Sequence, residues 1–403
     1  MDLSSTLTTQ VCRRELAADF DQDMVQDAMA IILLPTRHPA GAFSSPLRNH
    51  YRLWETQTLP DPLRTPDDEC DATPSAHLVR LYRLHGRLLL FIEDYLTKAT
   101  ATDPSREYFG LSSLSLRSTY LTYVGHPLSP RFSAANLTSP ERQRFFRAFL
   151  RYELLCKMCC SDNLSDSSWY YKLSSLWKYK GQTFQKVEAE AIACVQSYVE
   201  SLHKAISIQC EFYDGREYVL TLIFPQLSCF GFDLAAALLQ AVTAGKQGRD
   251  HVQMWYLDLE ERHLGDLRRS TNMRRGAYLI RGGTDSDCND CILGFDPLCE
   301  KDEHYTEGPG MYKMLYPIGT SSSMQRYLYR RKAWAFLDDI RLHPTRLQQL
   351  CFTDADWGGP EKLRDLHDRP VDEHPHNAQM QLEYPTPPFL QGKRFVGLAP
   401  FWQ

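Results

Sequence analysis

Three things are scarce in these 403 residues, and each scarcity excludes a class of protein. Apolar runs of membrane length are missing: the longest tract, Tyr218 to Ala244, is broken by Pro225, Gln226, Gly231 and Asp233. A membrane-spanning helix needs about 20 predominantly apolar residues, so none is expected. An excess of positive charge is missing too. The net charge of -5 and pI near 6.2 argue against a general nucleic-acid binder, which concentrates Lys and Arg to neutralise phosphates. The common catalytic signatures are also missing. The chain has no Gly-x-Ser-x-Gly elbow, no Gly-x-x-x-x-Gly-Lys phosphate loop and no His-Glu-x-x-His, and Gly308-Pro309-Gly310 lacks the third glycine of a dinucleotide site.

The first thirty residues hold Asp2, Glu15, Asp19, Asp21, Asp23 and Asp27 and no basic stretch leading into an apolar segment, so neither a secretory nor a mitochondrial leader is expected. A cytoplasmic or nuclear address is therefore expected, in which the 12 cysteines would be reduced and mostly buried. With 43% hydrophobic and 24% charged residues, the composition is that of a globular chain able to bury a large core.

Helical periodicity dominates what is present. Leu78, Leu81, Tyr82, Leu88, Leu89, Ile92, Tyr95 and Leu96 share a face behind the Thr73-Pro74 start. A second helix is expected from Pro140 to about Cys160, with Ser139 as its cap, Pro140 in its first turn and Glu141 at the positive dipole end. Phe184, Val187, Ala191, Val195, Tyr198 and Leu202 mark a third. Shorter helices are expected at Asp21–Leu34, Asp233–Thr243, Val252–His263 and Ser323–Asp339. The alternation of Ile206, Ile208, Cys210 and Phe212 before Asp214-Gly215 reads as a β-hairpin, with a long helix running into a loop as the competing reading. The segments 34–74, 161–168 and 282–320 are rich in turn formers and read as loops. The fold class is therefore mainly α: a large irregular helical domain over residues 10–350, with one small β-hairpin and an extended C-terminal tail, 351–403. The aromatic end of that tail, Phe395 to Trp402, is expected to pack on the body or on a partner.

The best metal candidate is Cys288-x-x-Cys291 followed by Cys299 and His304. Two thiolates on a tight turn plus two later soft ligands can close a zinc tetrahedron. Asp285, Asp287 and Asp290 oppose this by raising the thiol pKa values, so a reduced surface loop is the competing reading. Cys156, Cys159 and Cys160 come at the far end of their helix, where the dipole disfavours thiolates, and read as structural. His85 lies on an apolar stripe and reads as a hydrogen-bonded core histidine. Arg144, Arg147 and Arg151 read as a solvated or salt-bridged face. His374 and His376 could chelate a metal only weakly from a tail, and Arg268-Arg269-Ser270-Thr271 resembles a basophilic kinase site.

Four blocks, Val25–Ile31, the Leu78 helix, Ser139–Cys156 and Arg330–Leu342, resemble a group of large helical proteins of filamentous ascomycete fungi often assigned as F-box or F-box-like. The Glu-Arg-x-Arg-x-x-Arg-Ala helix at Glu141 is the strongest block. Ala333 and Leu337 stand where that group often has Gly and Trp, and the Leu-Pro start of an F-box is not evident here. The resemblance implies a helical fold and an adaptor role with a protein partner, a ubiquitin-ligase scaffold if a degenerate N-terminal segment supplies the F-box. It carries over no catalytic residues. The functional expectation is a non-catalytic interaction protein. The alternative is an enzyme with an unrecognised, metal-dependent centre, first sought at the Cys288 loop, His304 and Asp258–His263.

Overall fold

Local chemistry starts the helices where the periodicity puts them. The computed structural model describes residues 3–34, 45–63, 73–101, 104–112, 120–123, 126–159, 186–212, 224, 227–228, 230–269 and 329–338. Among these lie nine α-helices and one three-stranded sheet. The first helices are α1 (Leu3–Asp19), α2 (Gln22–Leu33), α3 (Ser45–Glu55), α4 (Thr73–Ala99) and the short α5 (Pro104–Glu107). Asp21 caps α2, its carboxylate accepting from the Met24 backbone N–H at 2.9 Å. After the sheet and a 3-10 turn (Ala134–Asn136) come α6 (Ser139–Cys159), α7 (Lys186–Gln209), α8 (Gly231–Thr243) and α9 (Lys246–Arg269).

The cap of α6 is Thr138, one residue before the expected Ser139. Thr138 Oγ1 accepts from the Glu141 N–H at 3.3 Å, while Glu141 Oε2 accepts from the Thr138 N–H at 2.9 Å. This reciprocal box satisfies two of the N–H groups that a helix start leaves open. Thr138 wins because the fourth residue on from it, counting itself as first, is an acid.

Aromatic and aliphatic side chains from every helix except the short α5 form one continuous buried cluster, which also takes in Tyr329 and Ala333–Leu337. Helix α6 lies at its centre, packed against α1, α2, α4, α7 and α8. Phe149 stacks on Phe232 with ring centroids 5.2 Å apart, and Phe145 stacks on Phe336 at 4.2 Å.

Four expectations about local structure are corrected. Ile206 and Ile208 are not in a strand, since α7 continues through them to Gln209. Residues 205–210 are buried on every side, so the alternation carries no information about a pleat. The sheet lies instead between α5 and α6, as β1 (Leu111–Ser112), β2 (Tyr120–Tyr123) and β3 (His126–Pro130) in antiparallel order. Its register slips between Leu121 and Thr122, and Pro127 and Pro130 are tolerated because β3 is an edge strand. Helix α3 falls inside the segment 34–74 read as loop. Finally, the helix expected at 323–339 is, in its described part, a single turn at 329–331 followed by turns through Phe336. Ala333 there takes a positive φ of 54°, which a continuing helix excludes.

Glycine is required at the start of α8. Gly231 has φ +68°, and a Cβ there would meet the Glu153 carboxylate. That contact lets Glu153 Oε2 accept from the Phe232 N–H at 2.7 Å and close the open end of the helix.

Candidate functional site

Cys288, Cys291, Cys299 and His304 lie outside the described residues, as do His374, His376, Ser270, Thr271 and the aromatic end Phe395–Trp402. Among the described residues no group of three or more His, Cys, Asp or Glu could hold a metal ion. None of the described helices is long and apolar enough to cross a membrane. His85 is the hydrogen-bonded core histidine expected, with Nε2 2.7 Å from Asp19 Oδ2. Cys156 is buried and donates to the Ser228 carbonyl at 3.6 Å.

The arginine row of α6 is a salt-bridged face turned toward the N-terminal helices and the late segment. Arg142 reaches Asp19 at 2.7 Å, Arg147 pairs with Asp21, and Arg151 lies 3.3 Å from Asp27 and 2.5 Å from Glu188. Arg144 reaches Asp338 at 2.5 Å. Burial alone would raise the Asp19 carboxyl, but hydrogen bonds from His85 and Arg142 outweigh it and hold Asp19 below the ordinary carboxylate range.

Four polar groups in the interior escaped the sequence reading, because each sits on a helix whose other residues looked merely apolar. Arg330 makes a bidentate pair with Glu190, Nε to Oε1 and Nη2 to Oε2, both at 2.8 Å. Lys98, on α4, places Nζ 2.7 Å from Asp94 Oδ2, and Tyr198 of α7 donates to the same oxygen at 2.7 Å. Both Lys98 and Asp94 are fully enclosed, and Asp94 Oδ1 has no hydrogen-bond partner among the described residues. Burial, reinforced by the Asp94 charge, pushes the Tyr198 hydroxyl well above its ordinary pKa. Across α4, α6 and α8, Arg87 pairs with Asp233 and Lys157 lies 2.5 Å from the same carboxylate, while Glu153 completes the group. The fourth is His203 on α7, fully buried, with neither ring nitrogen hydrogen-bonded among the described residues. Burial lowers its pKa to about 3.

The outer edge of the α1/α4 pair has the opposite character. Tyr82 donates to Glu15 at 2.9 Å and His85 meets Asp19, so the two helices run in the same direction there. Val11 lies one turn before Glu15, and Val79 one turn before Tyr82, which sets these side chains at one level. Val11, Val79 and Tyr82 are 37%, 46% and 37% exposed. One turn on from Tyr82, a Cβ added to Gly86 would meet nothing within 4 Å. The seam between the helices thus forms a groove lined by Val11, Val79 and the Tyr82 ring, crossed by the Tyr82–Glu15 hydrogen bond and open at Gly86. Arg14 on the α1 rim and Arg83 on the α4 rim are exposed, and neither has a hydrogen-bond or ion-pair partner among the described residues. This groove can take the apolar side of a protein segment, whereas the enclosed ion pairs hold helices together.

No family model matches the chain, and no curated protein and no solved structure matches it.

Proposed function

We propose that the protein is a non-catalytic interaction protein of the cytoplasm or nucleus, which engages a protein partner through the α1/α4 edge. The observation that carries this reading is the exposed apolar groove of Val11, Val79 and Tyr82 between two unpaired arginines. Apolar side chains exposed together beside unpaired charge are what an interface uses, because their burial against a partner releases water and the rim charges select the partner's sign. The same groove fits an amphipathic helix or extended segment laid along the seam. Kinship with the F-box-like fungal group would make that partner a ubiquitin-ligase scaffold.

Affinity capture from the native cell tests the reading when the wild-type chain is run beside Val79→Asp. The variant places a carboxylate in the groove and touches no buried pair, so its melting temperature is expected to stay near wild type. A stoichiometric partner is expected with the wild type and is expected to be lost with the variant. The same partner retained by both chains, or none retained by either, refutes the proposal.

A second reading, an enzyme with an unrecognised centre, draws on the enclosed Lys98–Asp94–Tyr198 group, where a cation, a carboxylate with a free oxygen and a hydroxyl converge. Its zinc-dependent form, with Cys288, Cys291, Cys299 and His304 as ligands, stands or falls by metal analysis of the purified protein. A zinc-to-protein ratio near zero removes it.

A further inference from the structure

The described chain ends close to the open end of the α1/α4 groove. Asp338, its last residue, is bound at the first turn of α6: its N–H donates to Glu141 Oε1 at 3.0 Å, and its carboxylate takes Thr138 Oγ1 at 3.2 Å and Arg144 at 2.5 Å. From that same turn Arg142 reaches Asp19, where α1 meets His85 of α4. Asp19 is eight residues from Val11, or about 12 Å along the helix axis. The 13 residues from 339 to 351 can span up to about 43–47 Å when extended, so residue 352 and its successors can reach any point of the groove.

The segment at that point is Phe352-Thr353-Asp354-Ala355-Asp356-Trp357, two aromatics enclosing two carboxylates with no basic residue. The groove presents an apolar floor of Val11, Val79 and the Tyr82 ring, open space at Gly86, the Glu15 carboxylate already held by the Tyr82 hydroxyl, and two exposed arginines, Arg14 and Arg83, that leave its rims net positive. The other aromatic stretch of the tail, Phe395–Trp402, is preceded by Lys393-Arg394, which the rim arginines repel. We infer that the Phe352–Trp357 segment docks in the α1/α4 groove of its own chain, with Asp354 and Asp356 meeting Arg14 and Arg83, and so occupies the surface offered to the partner. The inference rests on the groove proposed for the partner and adds its regulation: a partner must displace the tail, and the tethered segment competes at high effective concentration.

The test uses the full-length chain at a concentration where it is monomeric, with the photo-cross-linking residue p-benzoylphenylalanine in place of Val79. After irradiation and trypsin digestion, position 79 is expected to be joined to the peptide Leu347–Lys362. The charge reversal Arg14→Glu/Arg83→Glu is expected to lower that yield several-fold, and Asp354→Arg/Asp356→Arg in the same chain is expected to restore it. Arg14 and Arg83 are exposed, and unchanged circular dichroism confirms that the variants fold. Cross-links to Phe395–Gln403, to a second copy, or to no tail peptide overturn the inference, as does a yield insensitive to the charge reversal. Failure of the cross-link leaves partner capture intact, whereas loss of the partner with the tail cross-link present overturns only the adaptor reading.

Discussion

Glu190→Gln is expected to destabilise the fold by about 3–5 kcal/mol, the usual cost of breaking a buried, bidentate ion pair from one side. The side chains of Glu190 and Arg330 are 0% and 5% exposed and bonded in parallel. The neutral amide can offer Arg330 only one acceptor oxygen, so one of the two bonds goes and the charge–charge attraction to Glu190 goes with it. The pair matters because it fixes the 329–338 segment to α7, and that segment brings Trp334 and Phe336 into the core. Replacing both partners, as Glu190→Met/Arg330→Met, is expected to recover most of the loss, because the desolvation penalty of both ions disappears with them. Urea unfolding of the wild type, Glu190→Met, Arg330→Met and the double variant gives the coupling free energy directly. A Glu190→Gln chain within about 1 kcal/mol of wild type would show that the pair does not anchor the segment.

Acid should weaken the protein through His203. With a folded pKa of about 3 against about 6.5 in the unfolded chain, the imidazole binds its proton only on unfolding across that window. Stability is then fully present above pH 6.5 and is lost as pH falls from 6.5 toward 3, by about 2 kcal/mol at pH 5 and about 5 kcal/mol at the lower end. The cause is burial: the ring is fully enclosed, neither nitrogen has a hydrogen-bond partner among the described residues, and the Tyr256 hydroxyl is taken up by the His203 backbone carbonyl at 3.4 Å. No charged group contributes to the shift, which burial alone causes. His203→Leu removes both the titration and two buried nitrogens without partners, so it should be at least as stable as wild type at pH 7.5 and clearly more stable at pH 5. Melting curves of the two chains across pH 4–8 measure this difference, and parallel curves would refute it.

These two sites also show where reading the sequence stops. The helices α2, α4, α6 and α8 were legible because their causes are local: an acid or hydroxyl at the start, apolar residues every three or four positions, and a stretch long enough to show the period. The salt-bridged α6 row and the hydrogen-bonded state of His85 were legible for the same reason, since a charged or aromatic residue on a known face has few alternatives. Helix α7 was readable only until Leu202. Beyond it every side is buried, so the period vanishes and the residues mimic a strand. The strands β1 to β3 are too short to show an alternation, and two prolines disguise the last of them.

The groove was invisible at the level of sequence. Val11, Val79, Tyr82, Arg14 and Arg83 belong to two helices separated by more than fifty residues, and each has an ordinary neighbourhood in its own helix. Composition and period alone determined a mainly helical body, because helix formation depends on residues within one or two turns of each other. The Glu190–Arg330 bond, the enclosure of His203, the turn at Ala333 and the open seam beside Gly86 were decided by tertiary packing. Each depends on which helix faces come together, and a face acquires its partner only when distant segments compete for the same buried volume.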